Sequence, residues 1–169
     1  MRGPASGDVV EVVLEVLVGE ALRQRGWKLA VGESCSGGLV AYRITTVPGS
    51  SDYFLGGVVA YSNEAKTQLL GVTPATLEQY GAVSPQTASE MARGARRAFS
   101  AEVGVAITGI AGPGGATLDK PIGLTLIAVN TPQGEWVERF VFVGDRTSNQ
   151  RASAQAALEL LRRALKSED

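Results

Sequence analysis

The sequence predicts an α/β domain, a mixed β-sheet covered by helices on both faces. Three observations point there. Short apolar runs rich in valine, isoleucine and alanine alternate with longer stretches of helical period along nearly the whole chain. Polar or glycine-rich segments at 32–38, 61–66 and 108–121 each follow such a run, as loops do at the carboxyl ends of strands in open α/β sheets. Near the end, two runs are separated by little more than Pro132-Gln133-Gly134, a hairpin signal, so the sheet is not wholly parallel.

Residues 1–7 read as a tail. Asp8 caps a helix to about Arg25, whose apolar face is Val9, Val12, Val13, Val16, Leu17 and Leu22; Gly26 ends it. Trp27 to Gly32 is the first strand. Gly38 to Thr46 is a helix, stopped by Pro48-Gly49. Val58 to Tyr61 is a short buried strand. Asn63 to Leu70 is helical up to Gly71, and Thr73-Pro74 opens a short helix to about Tyr80. Ser84-Pro85-Gln86 starts a longer helix. The serine hydroxyl accepts a first-turn N–H there, and proline lacks the N–H that would go unpaired. Val103 to Ile107 is a strand, and Gly109 to Ile122 is a Gly/Pro-rich loop. Gly123 to Asn130 and Glu135 to Val143 form the hairpin, and Thr147 to Lys166 is a closing amphipathic helix before a tail at 167–169. Residues 8–166 thus make one domain without repeat or linker.

Composition narrows the chemistry. The 169 residues carry 16 basic and 17 acidic side chains, a balance that gives no support for nucleic-acid binding. A hydrophobic share of 44% suffices for a buried core, yet no apolar run reaches the ~18 residues of a membrane span. The start lacks a basic segment followed by an apolar one, so no secretory signal is expected and a cytoplasmic protein is the default. One cysteine excludes an internal disulfide. There is no histidine, so zinc would have to be held almost by carboxylates alone; neither metal nor cofactor is expected.

The absence of histidine also constrains Gly32-Glu33-Ser34-Cys35-Ser36-Gly37-Gly38. This strand-to-helix turn can aim Ser34 into a cleft as a nucleophile, with Ser36, Gly37 and Gly38 as a small anion cradle. Its spacing is neither that of the nucleophile elbow nor that of the Walker loop, and such turns also serve packing alone. Cys35 is the rival nucleophile, although a lone cysteine among small residues ordinarily fills space. A serine nucleophile without histidine needs another base. Tyr61-Ser62-Asn63-Glu64-Ala65-Lys66 supplies Lys66, whose ordinary reading would be a solvated helix lysine. As a base it must be neutral, and burial or a nearby cation must lower its pKa. Tyr61 can orient that lysine or meet the substrate. Thr108 and Gly109 open a loop with four glycines in eight residues that lets a ligand approach the backbone. Arg146, in Gly144-Asp145-Arg146, can clamp a phosphate through its planar fork or pair with a neighbouring carboxylate; Arg151, one turn on, is a weaker candidate.

These segments, with Gly81-Ala82-Val83-Ser84 and Lys120-Pro121-Ile122-Gly123, occur in an order that resembles the CinA C-terminal domain family, the bacterial nicotinamide-nucleotide amidases. The resemblance covers about residues 8–166. The commoner family pattern has threonine where this chain has Ser36, which keeps the hydroxyl. The resemblance implies a CinA C-terminal-domain-like fold, and hydrolysis of the carboxamide of nicotinamide mononucleotide to nicotinate mononucleotide and ammonia. It implies a metal-free serine–lysine mechanism with Ser34 as nucleophile and Lys66 as base. It also implies self-association as a homodimer or larger assembly. Some members carry this domain behind a larger one resembling molybdopterin-binding proteins, with a nucleotide pyrophosphatase activity that is not transferred here. The alternative is a non-catalytic nucleotide-binding or regulatory module of the same fold, which would need neither the nucleophile nor a neutral lysine.

Overall fold

The computed structural model describes residues 6–166, with side chains from residue 14 onward. Six helices and five strands follow one another as α1 (Ser6–Arg25), β1 (Leu29–Glu33), α2 (Leu39–Thr45), β2 (Phe54–Val59), α3 (Asn63–Leu70), α4 (Pro74–Tyr80), α5 (Pro85–Phe99), β3 (Val103–Gly109), β4 (Leu124–Thr131), β5 (Gly134–Val141) and α6 (Arg146–Lys166). The strands form one sheet in the order β2-β1-β3-β4-β5. β1 runs parallel to both β2 and β3, whereas β3–β4 and β4–β5 are antiparallel. The expected α/β class and mixed sheet are what is found.

The strands alternate between two cores, as the two-residue period of a strand requires. Leu29, Val31, Val105, Ile107, Ile127 and Val129 face α1, α2 and α6. Ala30, Ala106, Leu126 and Ala128 face the other way, against Ala88, Met91, Ala92 and Ala95 of α5. Most strand residues of this second face are small because α5 lies close to the backbone of β3 and to α3. A Cβ at Gly104 would fall 2.0 Å from the Ala92 carbonyl oxygen, and one at Gly94 only 1.7 Å from that of Leu70.

Local signals account for the helix ends. Ser62, Thr73 and Ser84 each accept a first-turn N–H with the side-chain oxygen, and Pro74 and Pro85 occupy the first turns. α3 stops at Gly71, which is left-handed at φ 68°.

Three expectations change. α1 begins at Ser6, so Asp8 lies inside the helix rather than capping it, and residues 6 and 7 belong to it. The tail at 1–5, the tail at 167–169 and the side chains of Val9, Val12 and Val13 lie outside the described residues. The strand expected at 58–61 is Phe54–Val59, and it is an edge strand rather than a buried one. Its side chains alternate between half-buried and exposed, because only β1 flanks it. Among the described residues no helix is long and apolar enough to cross a membrane.

Candidate active site

Strand order brings the polar loops together. β2, β1 and β3 lie side by side and parallel, so their carboxyl ends open on one edge of the sheet. Ser34 follows β1, Tyr61 and α3 follow β2, and Thr108 and Gly109 end β3. A cavity of about 230 Å³ there is lined by Ser34, Cys35, Tyr61, Asn63, Lys66, Ala82, Val83, Thr108, Gly109 and Ala111. The three loops expected to share a cleft do share one.

At its base, Lys66 Nζ lies 3.1 Å from Ser34 Oγ and donates to the Ala60 carbonyl at 3.0 Å. Lys66 is only 2% exposed, and among the described residues no carboxylate forms an ion pair with it. Burial therefore pushes its pKa below the ordinary lysine value, with Cys35 pulling the other way. That pull needs a thiolate. Cys35 itself is buried, and burial raises its thiol to about 11, so near neutral pH it is an uncharged thiol. The rival nucleophile is thus poorly activated, while Ser34 has an amine in contact. As an ammonium, Lys66 donates to Ser34; as a neutral amine, it offers Ser34 a lone pair for the hydroxyl proton.

Glu33 organises the turn. Its side chain is fully buried and accepts from Ser36 Oγ at 2.7 Å and from the Val40 and Ala41 N–H groups at 3.0 Å each. The first-turn donors of α2 are thereby spent on the chain's own carboxylate. This changes the expectation for Ser36, whose hydroxyl points to Glu33 and is 3% exposed. Gly37 and Gly38 line a neighbouring depression rather than the Ser34 cavity. Ser34 N–H donates to the Ile107 carbonyl at 3.0 Å, so the candidate nucleophile's own amide is also taken.

Around the rim, Arg146 binds Gly112 O at 2.7 Å with one terminal nitrogen and Tyr61 Oη at 2.6 Å with the other. Its fork ties two site loops together instead of standing free. Thr108, nearly fully buried, donates to Ala82 O at 2.7 Å and so sets one wall. Gly109 is required by packing, since a Cβ there would meet Leu124 O at 2.6 Å and Cys35 Sγ at 3.0 Å.

Two residues of α6 escaped the sequence reading. Asn149, 2% exposed, donates to Ala111 O at 3.0 Å and Gly144 O at 3.1 Å. Gln150 donates to Cys35 O at 3.0 Å. Both pin site loops from a distant part of the chain, and only their proximity to Asp145-Arg146 could have flagged them. Among the described residues, no three His, Cys, Asp or Glu side chains gather as a metal site would require.

Comparison with known proteins identifies the family. The CinA C-terminal domain model matches residues 11–165. A CinA-like protein of Desulfotalea psychrophila is 52% identical over 149 residues, covering 88% of this chain and 36% of the relative. A CinA-like protein of Salinibacter ruber is 46% identical over 168 residues, covering 98% of this chain and 41% of the relative. The chain thus spans well under half the length of these curated relatives. The crystal structure of competence/damage inducible protein CihA from Agrobacterium tumefaciens superposes with a TM-score of 0.89 at 37% identity, covering 99% of each chain. That of competence damage-inducible protein A (ComA) from Klebsiella pneumoniae gives 0.90 at 31% identity, covering 94% of this chain and 99% of that one. The family model, these relatives and the shared fold show that this chain belongs to the CinA C-terminal domain family.

Proposed function

We propose that the chain is an amidohydrolase that removes ammonia from the carboxamide of nicotinamide mononucleotide by a serine–lysine mechanism. The observation that carries this reading is Lys66, buried, without an ion-pair partner among the described residues, and 3.1 Å from Ser34 Oγ. A binding module has no use for a lysine whose pKa burial lowers, whereas a serine nucleophile needs such a base.

In this mechanism neutral Lys66 takes the Ser34 proton as Oγ attacks the carboxamide carbon. The tetrahedral intermediate collapses with loss of ammonia, which takes its proton from the Lys66 ammonium or through Tyr61. The acyl group remains as an ester on Ser34. Water, deprotonated by Lys66, attacks that ester, and Ser34 regains its proton as nicotinate mononucleotide leaves. The Ala60 carbonyl holds Nζ in place throughout, so the lone pair stays aimed at the nucleophile. Because Ser34 N–H is engaged, oxyanion donors come from elsewhere on the cavity wall.

The test is ammonia release from nicotinamide mononucleotide in chelator-treated buffer, comparing the unmutated chain with Ser34→Ala. Release that disappears in the variant supports the amidase. No release from a folded, unmutated chain overturns it and favours the nucleotide-binding module.

A further inference from the structure

A tetrahedral intermediate on Ser34 puts a negative charge on the former carboxamide oxygen, and the cavity wall must donate hydrogen bonds to it. The Ser34 N–H is spent on the Ile107 carbonyl. Six side chains of the wall carry a hydrogen on nitrogen, oxygen or sulfur: Ser34, Cys35, Tyr61, Asn63, Lys66 and Thr108. Four of them are committed or weak. Ser34 is the attacking group. Lys66 holds Ser34 and the Ala60 carbonyl and carries the proton in transit. Thr108 donates its single hydroxyl hydrogen to Ala82 O at 2.7 Å. Cys35 is a buried thiol, a weak donor.

Tyr61 and Asn63 remain. Tyr61 Oη accepts from Arg146 at 2.6 Å and keeps one hydrogen, which the departing ammonia also claims. Asn63 has no such competing duty. It is exposed and, among the described residues, its side chain makes no hydrogen bond, so both amide hydrogens are free. Local structure does not require it either. Asn63 is the first residue of α3, and the cap is its neighbour Ser62, which accepts the Ala65 N–H at 3.0 Å. Asparagine is a poor helix former once inside the cap. It stands three residues before Lys66, a spacing that puts both side chains on one side of the helix, beside the Ser34–Lys66 contact.

We propose that the Asn63 side-chain amide is the oxyanion donor of this site. The proposal rests on the amidase reading for the reaction. As Ser34 Oγ bonds to the carboxamide carbon and gives its proton to Lys66, the carbonyl electron pair moves onto oxygen, where Asn63 Nδ2 donates to it. No proton leaves Asn63. When the pair returns, the carbon–nitrogen bond breaks and ammonia departs. A neutral donor stabilises the developing charge without altering the charge state of Lys66.

The experiment is single-turnover ammonia release from nicotinamide mononucleotide at pH 6 to 10 with the unmutated chain, Asn63→Ala and Asn63→Asp, alongside melting temperatures. Affinity for the mononucleotide is measured by calorimetry in a Ser34→Ala background, with and without Asn63→Ala. Asn63→Ala should lower the rate about 10²- to 10³-fold at every pH, the usual cost of one oxyanion donor. Its rising pH limb and its affinity should stay nearly unchanged, because the bond matters chiefly in the transition state. Asn63→Asp replaces the donor by an acceptor and should lose at least as much. It should melt no lower than the unmutated chain, because the helix dipole favours a first-turn carboxylate. That carboxylate also raises the lysine pKa and moves the limb to higher pH. An alanine variant within about threefold of the unmutated rate, a rate loss matched by lost affinity, or a fully active aspartate variant would overturn the assignment. No ammonia from the unmutated chain would sink the amidase reading and take the assignment with it; release indifferent to Asn63 would sink the assignment alone.

Discussion

Replacing Lys66 by arginine keeps a cation in the site and removes its ability to act as a base, because a guanidinium does not deprotonate in proteins. Lys66 is 2% exposed and its Nζ meets one carbonyl and one hydroxyl but, among the described residues, forms no ion pair with a carboxylate, so burial lowers its pKa. A lysine at the ordinary value of about 10.4 is neutral only about one time in a thousand at pH 7.4, a handicap of ~4 kcal/mol. Each unit of lowering returns a factor of about ten, or ~1.4 kcal/mol. For the unmutated chain, kcat/KM should therefore climb about tenfold per pH unit and level off at a lowered pKa, below about 10.4. Lys66→Arg should lose about 10²- to 10⁴-fold, the usual contribution of a general base, and lose that rising limb. The assay is single-turnover ammonia release from pH 6 to 10, which prevents product release from hiding the chemical step. A flat profile from pH 6 to 9, or an arginine variant within about tenfold of the unmutated chain, would refute the assignment. Stability carries the same signature. Unfolded, the lysine keeps its proton up to about 10.4; folded, it gives the proton up earlier. Between the two values the unfolded state binds more protons, so stability rises with pH across that window. Below the window the buried ammonium exerts its full destabilisation. The stability of the unmutated chain minus that of Lys66→Met should therefore increase with pH there, whatever constant offset the packing change adds.

Two further substitutions probe the surroundings. Cys35→Ala should keep most of the activity that Ser34→Ala abolishes, because burial holds the thiol near 11; an inactive but folded Cys35→Ala chain would make the cysteine the nucleophile. Gly94→Ala places a Cβ 1.7 Å from the carbonyl oxygen of Leu70, the last residue of the helix that carries Lys66, and α5 has little slack on its other side, where even a Cβ at Gly104 would fall 2.0 Å from Ala92 O. It should destabilise by about 1–3 kcal/mol or more. The displaced α3 should cost on the order of 100-fold in rate. A melting temperature and an ammonia assay indistinguishable from the unmutated chain would show that α3 does not need that glycine.

Where a signal was local, the sequence carried it. Asn63–Leu70 has the expected bounds because Ser62 and Gly71 are strong punctuation, and the Ser84-Pro85 start holds for the same reason. Ser34 and Lys66 were legible as a pair once histidine was missing. What stayed hidden depends on contacts between distant segments. Phe54–Leu55 did not read as strand because Gly56-Gly57 interrupts the run; those glycines lie where Cβ atoms would strike Phe99 and Val31. Ser36 looked like a ligand donor because nothing local reveals that Glu33 folds back onto amides seven and eight residues ahead. Arg146 read as either a phosphate clamp or the partner of a neighbouring carboxylate because its actual partners, Tyr61 and Gly112, lie 85 and 34 positions away.

The placement of β2 at the rim of the sheet has a consequence for how the protein fails. Ser34 follows β1, which is hydrogen-bonded on both sides, whereas Lys66 follows a strand held on one side only. Edge elements open locally at lower free energy than the centre of a sheet. Were β2 and α3 to loosen together, Ser34 would keep its N–H bond to the Ile107 carbonyl while Lys66 departed, and water would reach a serine without its lysine. If the proposed activity needs the Ser34–Lys66 contact, inactivation on heating should run ahead of global unfolding, because this partial opening leaves most of the native hydrogen bonds intact.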